Sequence, residues 1–376
     1  MNRTTFFKRT ELSFRKFLLR FLHRVVHRKQ PPLPEAFEFN RAKVLFIRQD
    51  RIGDVLVSTP LFSSLKSRYP EIVIDVLLSK NNFFVLDHEE LVRKRWIYTK
   101  KLFPTLHILR SIRAERYDFV VDLMDNPSAT STVAMLLAGG RWNVGLEKEN
   151  DFVYDIVVPM MSRKDTHIVE RLVKLLEPFH VSASHQELHI RYSATAESDH
   201  FAGEVLKSPP RGGLTVGVNI SAGSDARFWG VGNYRQLLLV LPQKDPKIRI
   251  LLLSKPSDRE RAQEIASGND RVILAPQTTF DQFAALIKRL DMLITPDTSA
   301  VHLAAAFDIP SVILYVQSNR NLSIWEPLNT VSESIVTMVD DLTAISVDQV
   351  LAAYDRLQKR IPPAGAAVRE KSHQGV

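Results

Sequence analysis

Three short polar loops, each lying where an apolar run gives way to a helical pattern, hold the side chains best suited to chemistry. The first is Arg48-Gln49-Asp50-Arg51-Ile52-Gly53-Asp54. Gly53 permits a tight backbone, and Asp54 stands near the start of the following helix, where a carboxylate either caps that helix or takes part in catalysis. The second runs from Thr295 through Pro296, Asp297, Thr298 and Ser299 into Ala300-Val301-His302-Leu303-Ala304-Ala305-Ala306. Hydroxyls and backbone N–H groups at a helix N-terminus make an anion site, a place for a diphosphate, and the alanines let helix and sheet pack closely. The competing structural reading makes Asp297 and Thr298 caps and His302 a buried helix histidine. The third loop is Ser221-Ala222-Gly223-Ser224-Asp225-Ala226-Arg227-Phe228-Trp229. Arg227 has the planar fork that grips phosphate with two bonds, or else it is a solvated cation beside a packing Trp229.

The elements around these loops read as strand, loop and helix. Lys43-Val44-Leu45-Phe46-Ile47 is a β-rich run ahead of the Asp54 turn, and Leu61, Phe62 and Leu65 give the helical pattern after it. Runs at Val73–Leu78 and Phe119–Leu123 repeat the motif, with polar residues near their C-terminal ends. Pro209-Pro210-Arg211-Gly212-Gly213 marks a break, after which Leu214–Ile220 opens a second series with strands at Ile248–Leu253, Val272–Leu274, Met292–Ile294 and Val312–Tyr315. Tandem α/β domains with parallel sheets follow, each binding ligands beyond its strand C-termini, so the three loops are expected to face a shared interdomain cleft. The expected division is a basic leader at 1–35, a first Rossmann-like domain at 36–205, a second at 206–345, and a closing helix and tail at 346–376.

The chain has 376 residues, 45% hydrophobic and 24% charged, enough material for two domains. It contains no cysteine, which excludes disulfides, thiolate metal sites and cysteine nucleophiles. No uninterrupted apolar stretch is long enough to span a bilayer, and the interrupted N-terminus is no signal peptide, so cytoplasmic residence is the default expectation. The net charge of +8 is located: residues 1–29 hold nine Lys or Arg against one Glu, which leaves the rest formally neutral. A nucleic-acid-binding body carries its basic excess over a folded face, so no nucleic-acid partner is expected. From Phe14, apolar residues at Phe17, Leu18, Phe21, Leu22, Val25 and Val26 share one helical face, with Lys16, Arg20, Arg24 and Arg28 largely opposite. This amphipathic cationic helix is expected to lie on an anionic membrane surface through residues 1–30, the alternative being a helix packed on the protein's own surface or on a partner.

Four motifs in order resemble glycosyltransferase family 9, whose founding activity is heptosyl transfer from ADP-heptose to lipopolysaccharide. They are VLFIRQDRIGDVLVSTP (Val44–Pro60), YDFVVDLMDN (Tyr117–Asn126), GVNISAGSDARFW (Gly217–Trp229) and TPDTSAVHLAAA (Thr295–Ala306), within a similarity covering about residues 43–345. The resemblance implies the GT-B architecture, two Rossmann-like domains facing a cleft, here with the amphipathic helix added. It implies that Asp54 is the general base on the acceptor hydroxyl, with inversion at the anomeric carbon. Arg227 would hold the donor diphosphate beside the backbone of Ser221, Ala222 and Gly223, and Asp297, Thr298, Ser299 and His302 would form the donor loop. No metal and no cofactor are implied; the nucleotide-sugar, ADP-heptose, is a substrate, and a lipid-linked core oligosaccharide at the inner face of the cytoplasmic membrane is the acceptor. Arg51, Asp122 and Asn126 are acceptor-side candidates, with fixing its own loop the equal alternative for Asp122. The family's donor loop reads aspartate-threonine-glycine, and Ser299 stands in the glycine's place. Another nucleotide-sugar or glycan acceptor, or a non-catalytic binding paralogue, are the alternatives.

Overall fold

The computed structural model describes residues 17, 19–26, 32–99, 101–207 and 213–361. The outer parts of the leader, the Pro209–Gly212 break and the tail after Ile361 lie outside the described residues. The chain divides into two compact units: residues up to 162 with 168–188, and 163–167 with 189 onward.

The first unit is a six-stranded, wholly parallel sheet in the order β3-β2-β1-β4-β5-β6. The strands are β1 (Lys43–Arg48), β2 (Val73–Ser79), β3 (Lys94–Tyr98), β4 (Phe119–Asp122), β5 (Trp142–Leu146) and β6 (Ile156–Val158). β1, β2 and β4 are buried almost throughout, as the two covered faces of a parallel sheet require, which is why they read as continuous apolar runs. The order reverses between β1 and β4, so the switch point lies at the turn holding Asp54 and at the end of β4 holding Asp122. Leu45, Ile47, Leu109, Ile112, Val120, Met135 and Tyr154 form a core on one side of this sheet.

The second unit repeats the plan in the order β12-β11-β10-β7-β8-β9, again parallel. Here β7 is Thr215–Asn219, β8 Arg249–Leu253, β9 Val272–Leu274, β10 Met292–Pro296, β11 Ser311–Val316 and β12 Ser332–Thr337. Its switch point lies between β7 and β10, the strands that end in the Arg227 and Asp297 loops. Gly217 lets β7 lie against Leu290, because a Cβ there would fall 2.3 Å from Leu290 Cδ1.

The helix Ala196–Leu206, expected in the first domain, belongs to the second unit. Polar ties explain the shift of the boundary to 188/189. Asp281 accepts from the Tyr192 hydroxyl at 2.9 Å and the Thr195 hydroxyl at 2.7 Å, and Lys288 pairs with Asp199 at 2.7 Å. The closing helix Val347–Arg360 is likewise part of that unit, burying Val350, Leu351, Tyr354 and Leu357 in its core.

Within the leader, Phe17 and residues 19–25 are helical. His23 stacks on Phe152 at 4.8 Å, and Val26 packs against the first unit's core, so one side of the helix is held by the protein itself. Phe17, Phe21 and Val25 are exposed. No helix among the described residues is long and apolar enough to cross a membrane.

Candidate active site

The Asp54 turn is built around a buried cation. Arg48, at the end of β1, is 1% exposed. Its Nε donates to the Asp54 carbonyl at 2.8 Å, Nη2 to the Asp54 carboxylate at 3.3 Å, and Nη1 to the Leu123 carbonyl at the end of β4. The same Nη1 lies 3.3 Å from Asp50 Oδ2, so one guanidinium serves two carboxylates. Such a charge is retained in a protein interior only when paired and hydrogen-bonded, and this one is both. The other oxygen of Asp54 accepts from the Arg51 N–H at 3.2 Å at the head of the helix Ile52–Leu56. Asp54 is therefore a helix cap and an ion-paired carboxylate at once. Asp54 keeps a small accessible area, while Arg51 is exposed at its side.

Asp122 is fully buried and wholly engaged by its own unit. Its Oδ2 accepts from the Tyr154 hydroxyl at 2.6 Å, Ser131 at 3.1 Å and Lys148 at 3.2 Å, and its Oδ1 accepts from Met124 N–H at 3.1 Å. Burial, and then the Asp122 charge, raise the Tyr154 phenol far above its ordinary range, so it stays a donor. Gly145 makes the arrangement fit, since a Cβ there would meet the Tyr154 ring at 2.3 Å. With every oxygen accounted for internally, Asp122 is a loop-fixing residue here and does not present itself to a ligand. Asn126, four residues on, is exposed.

The second unit gathers the other two loops. Asn219, at the end of β7, donates to the Thr295 hydroxyl at 2.9 Å and the Thr298 hydroxyl at 3.3 Å, and accepts from the Ser221 N–H at 3.1 Å. Thr298 is the N-cap of the helix Ser299–Ala306, accepting from Ala300 N–H at 3.3 Å. Arg227 Nη1 reaches Asp297 Oδ2 at 2.8 Å, tying the loop after β7 to the loop after β10. Both partners are about one-third exposed, so the guanidinium is aimed by Asp297 yet open to a ligand. Lys255 adds a second cation, its ammonium on the Ala222 carbonyl at 2.8 Å and its N–H on the Ser221 hydroxyl at 2.6 Å. Gly223 is exposed, with open space where a Cβ would stand. Ser299 is half-buried at the first turn of the helix. His302 is 3% exposed. Burial, and then the neighbouring His167, lower it to about 3, so it is neutral and adds no charge to the loop.

The geometry thus assembles Ser221, Ala222, Arg227, Asp297, Thr298, Ser299 and His302 within one unit, and Arg51, Asp54, Asp122 and Asn126 within the other. Asn219, Lys255, Arg48 and Asp50 were missed by sequence reasoning. The signal available for Arg48 and Asn219 was a polar residue closing an otherwise apolar parallel strand; Lys255 had none, because its place depends on the fold of a later loop. Among the described residues, no group of three or more His, Asp or Glu is arranged to hold a metal ion.

Two Rossmann-like units with parallel six-stranded sheets, one holding a carboxylate turn and the other a loop of hydroxyls and an arginine at its switch point, have the fold of GT-B glycosyltransferases. The profile of glycosyltransferase family 9 (heptosyltransferase) matches residues 105–340, and the chain belongs to that family. It is 24% identical over 304 residues to lipopolysaccharide heptosyltransferase 3 of Escherichia coli K12, covering 73% of this chain and 82% of that one. To lipopolysaccharide heptosyltransferase 1 of Salmonella typhimurium it is 22% identical, covering 74% and 90%. Among solved structures, the family 9 glycosyl transferase of Veillonella parvula superposes with a TM-score of 0.73 at 18% identity, over 87% of this chain and 100% of that one. E. coli heptosyltransferase WaaC, solved with ADP, gives 0.68 at 20% identity, over 84% and 99%. Asp54 precedes the range matched by the family profile, so its candidacy stands on the turn itself.

Proposed function

We propose that this glycosyltransferase moves a heptose from ADP-heptose, with inversion, onto a lipopolysaccharide core acceptor. The observation that carries the reading is the Arg227–Asp297 bridge beside the Thr298-capped helix, an anion site with its cation already aimed. The relatives named as lipopolysaccharide heptosyltransferases supply the sugar and the acceptor class.

In the proposed reaction the Asp54 carboxylate takes the proton of the acceptor hydroxyl as its oxygen attacks the anomeric carbon of the heptose. The bond from that carbon to the diphosphate oxygen breaks, and its electron pair leaves with ADP. Arg227, the Ser221–Gly223 backbone and the N–H groups at the start of Ser299–Ala306 take up the charge developing on the diphosphate. Arg51, exposed in the Asp54 turn, and Asn126, exposed four residues beyond the end of β4, are the acceptor-side contacts in this scheme; Asp122 acts through the loop it fixes. The leader holds the enzyme at the cytoplasmic face of the membrane, where a lipid-linked acceptor is found by search in two dimensions.

Ser299 bears on donor choice, since it puts a hydroxyl at the helix N-terminus where the family pattern has glycine. The test is a mass-spectrometric screen of nucleotide-sugars against core oligosaccharides of graded truncation. The reading expects a heptosyl mass increment with ADP-heptose. An increment with another nucleotide-sugar alone would replace the donor, and none with any would leave a binding protein.

A further inference from the structure

The Asp54 turn holds a second carboxylate that the proposed reaction does not use. Asp50 Oδ2 lies 3.3 Å from Arg48 Nη1, and Asp54 Oδ1 lies 3.3 Å from Nη2 of the same guanidinium. Asp50 Oδ1 is buried without a hydrogen-bond partner among the described residues, as are both amide atoms of the neighbouring Gln49. The Asp50 backbone is pinned from the β2 side, where Asn82 Nδ2 donates to the carbonyls of Arg48 at 3.2 Å and Asp50 at 3.4 Å. Facing charges come from three elements: Arg48 from β1, Asp54 from the helix Ile52–Leu56, and Asp122 from β4. Asp122 is itself paired with Lys148, which leaves one guanidinium to two carboxylates. Burial pushes the Asp50 carboxyl up to about 7; Arg48 opposes this, and the charges of Asp54 and Asp122 add to it.

We propose that Asp50 is a positioning residue that sets the strength of Asp54 as a base: ionised, it takes a share of Arg48 and places a second negative charge beside Asp54, and protonated, it does neither. A carboxylate with more negative charge beside it and less of its counter-ion holds a proton more firmly, and a stronger base draws the acceptor's proton further in the transition state. Transfer therefore rises as Asp50 loses its proton near neutrality. The inference rests on Asp54 being the base, and Asp50 touches neither substrate in it.

The experiment compares the wild type, Asp50→Asn and Asp54→Asn, measuring kcat with ADP-heptose and a soluble core acceptor from pH 5.5 to 9, together with the urea midpoint across the same range. Wild-type kcat should climb about three- to tenfold through pH 7, a step that Asp50→Asn lacks while matching the wild type at low pH. The donor KM should not move. The urea readout is independent of catalysis. A carboxyl raised in the folded state contributes stability that is present below its unfolded value and lost as pH rises through about 7, so the wild type should weaken over that span relative to Asp50→Asn. Superimposable kcat profiles overturn the proposal, as does an Asp50→Asn chain as inactive as Asp54→Asn at every pH. If Asp50→Asn fails to fold, the infrared carboxylic-acid band of the wild type, assigned by its displacement in Asp50→Glu, must disappear as pH rises through 7, and a spectrum with no such band at low pH overturns the proposal equally. An active Asp54→Asn enzyme instead refutes the base, whatever Asp50 does.

Discussion

The two units share a strand order and place their key loops at the same topological position, yet they fill it with opposite chemistry. Beyond β1 and β4 the first unit sets Asp50, Asp54 and Asp122 around Arg48 and Lys148, all largely withdrawn from water. Beyond β7 and β10 the second unit sets hydroxyls, backbone N–H groups and a half-open Arg227. In the proposed reaction the first turn takes a proton and the second takes a diphosphate. The contrast teaches that the sheet supplies only a position; the loops decide which charge is welcome there.

The largest expected effect breaks the first side of that comparison. Asp54→Asn keeps the shape of the turn and its hydrogen bond to Arg51 but cannot take a proton, so transfer should fall roughly a hundredfold to ten-thousandfold. Donor affinity, measured by calorimetry, should not change. Undiminished turnover would remove the base from the scheme. Close behind comes Asp122→Ala, which strands the buried Lys148 ammonium and the Tyr154 hydroxyl. A loss of about 3–5 kcal/mol in urea-unfolding stability is expected for breaking such a buried pair. If stability held while the acceptor KM rose sharply, Asp122 would be a ligand contact after all. On the second side, Arg227→Ala should weaken ADP binding by about 1.5–3 kcal/mol, the worth of a charge-assisted bond, with Arg227→Lys recovering part of it. Unaltered ADP binding would assign the Arg227–Asp297 bridge to loop structure alone.

The parts of the fold legible in the sequence are those whose environment is uniform. β1, β2, β4, β7 and β10 lie in sheet interiors and read as apolar runs ending in polar loops. β3 (KRWIY), β6 (IVV) and β12 (SESIVT) escaped notice because they lie at or near sheet edges, are short or charged, and carry no continuous pattern. β5 (WNVGL) lies inside the sheet, but Asn143 and Gly145 interrupt its run for reasons that are tertiary: Asn143 donates to the Val153 carbonyl, and Gly145 makes room for Tyr154. The same rule governs the sites. Asp54, Arg227 and Asp297 are visible because each follows a strand within a few residues. Lys148 and Tyr154 meet Asp122 across 26 and 32 residues, and no local pattern announces such a meeting. The grouping of residues 189–206 with the second unit is hidden for a like reason, since the Asp281 ties to Thr195 span 86 residues.

The smallest expected effect concerns the leader, which extends the contrast because its described residues His23 and Val26 pack on the first unit. Removing residues 1–30 outright would mix two effects, since His23 stacks on Phe152 and Val26 lies against the core. The outward side separates them: Phe17, Phe21 and Val25 are exposed, and Arg20 and Arg24 are exposed among them. A cation near an anionic surface contributes about 1 kcal/mol, so Arg24→Gln should lower partitioning onto phosphatidylserine-containing vesicles about fivefold at low salt. The loss should shrink as salt rises, because screening weakens the attraction in the wild type as well. Transfer to a soluble acceptor should be untouched, the substituted group lying on the solvent side of a helix whose packing is intact. Vesicle binding that ignored both the substitution and the salt would make the leader a packing element of the first unit and nothing more.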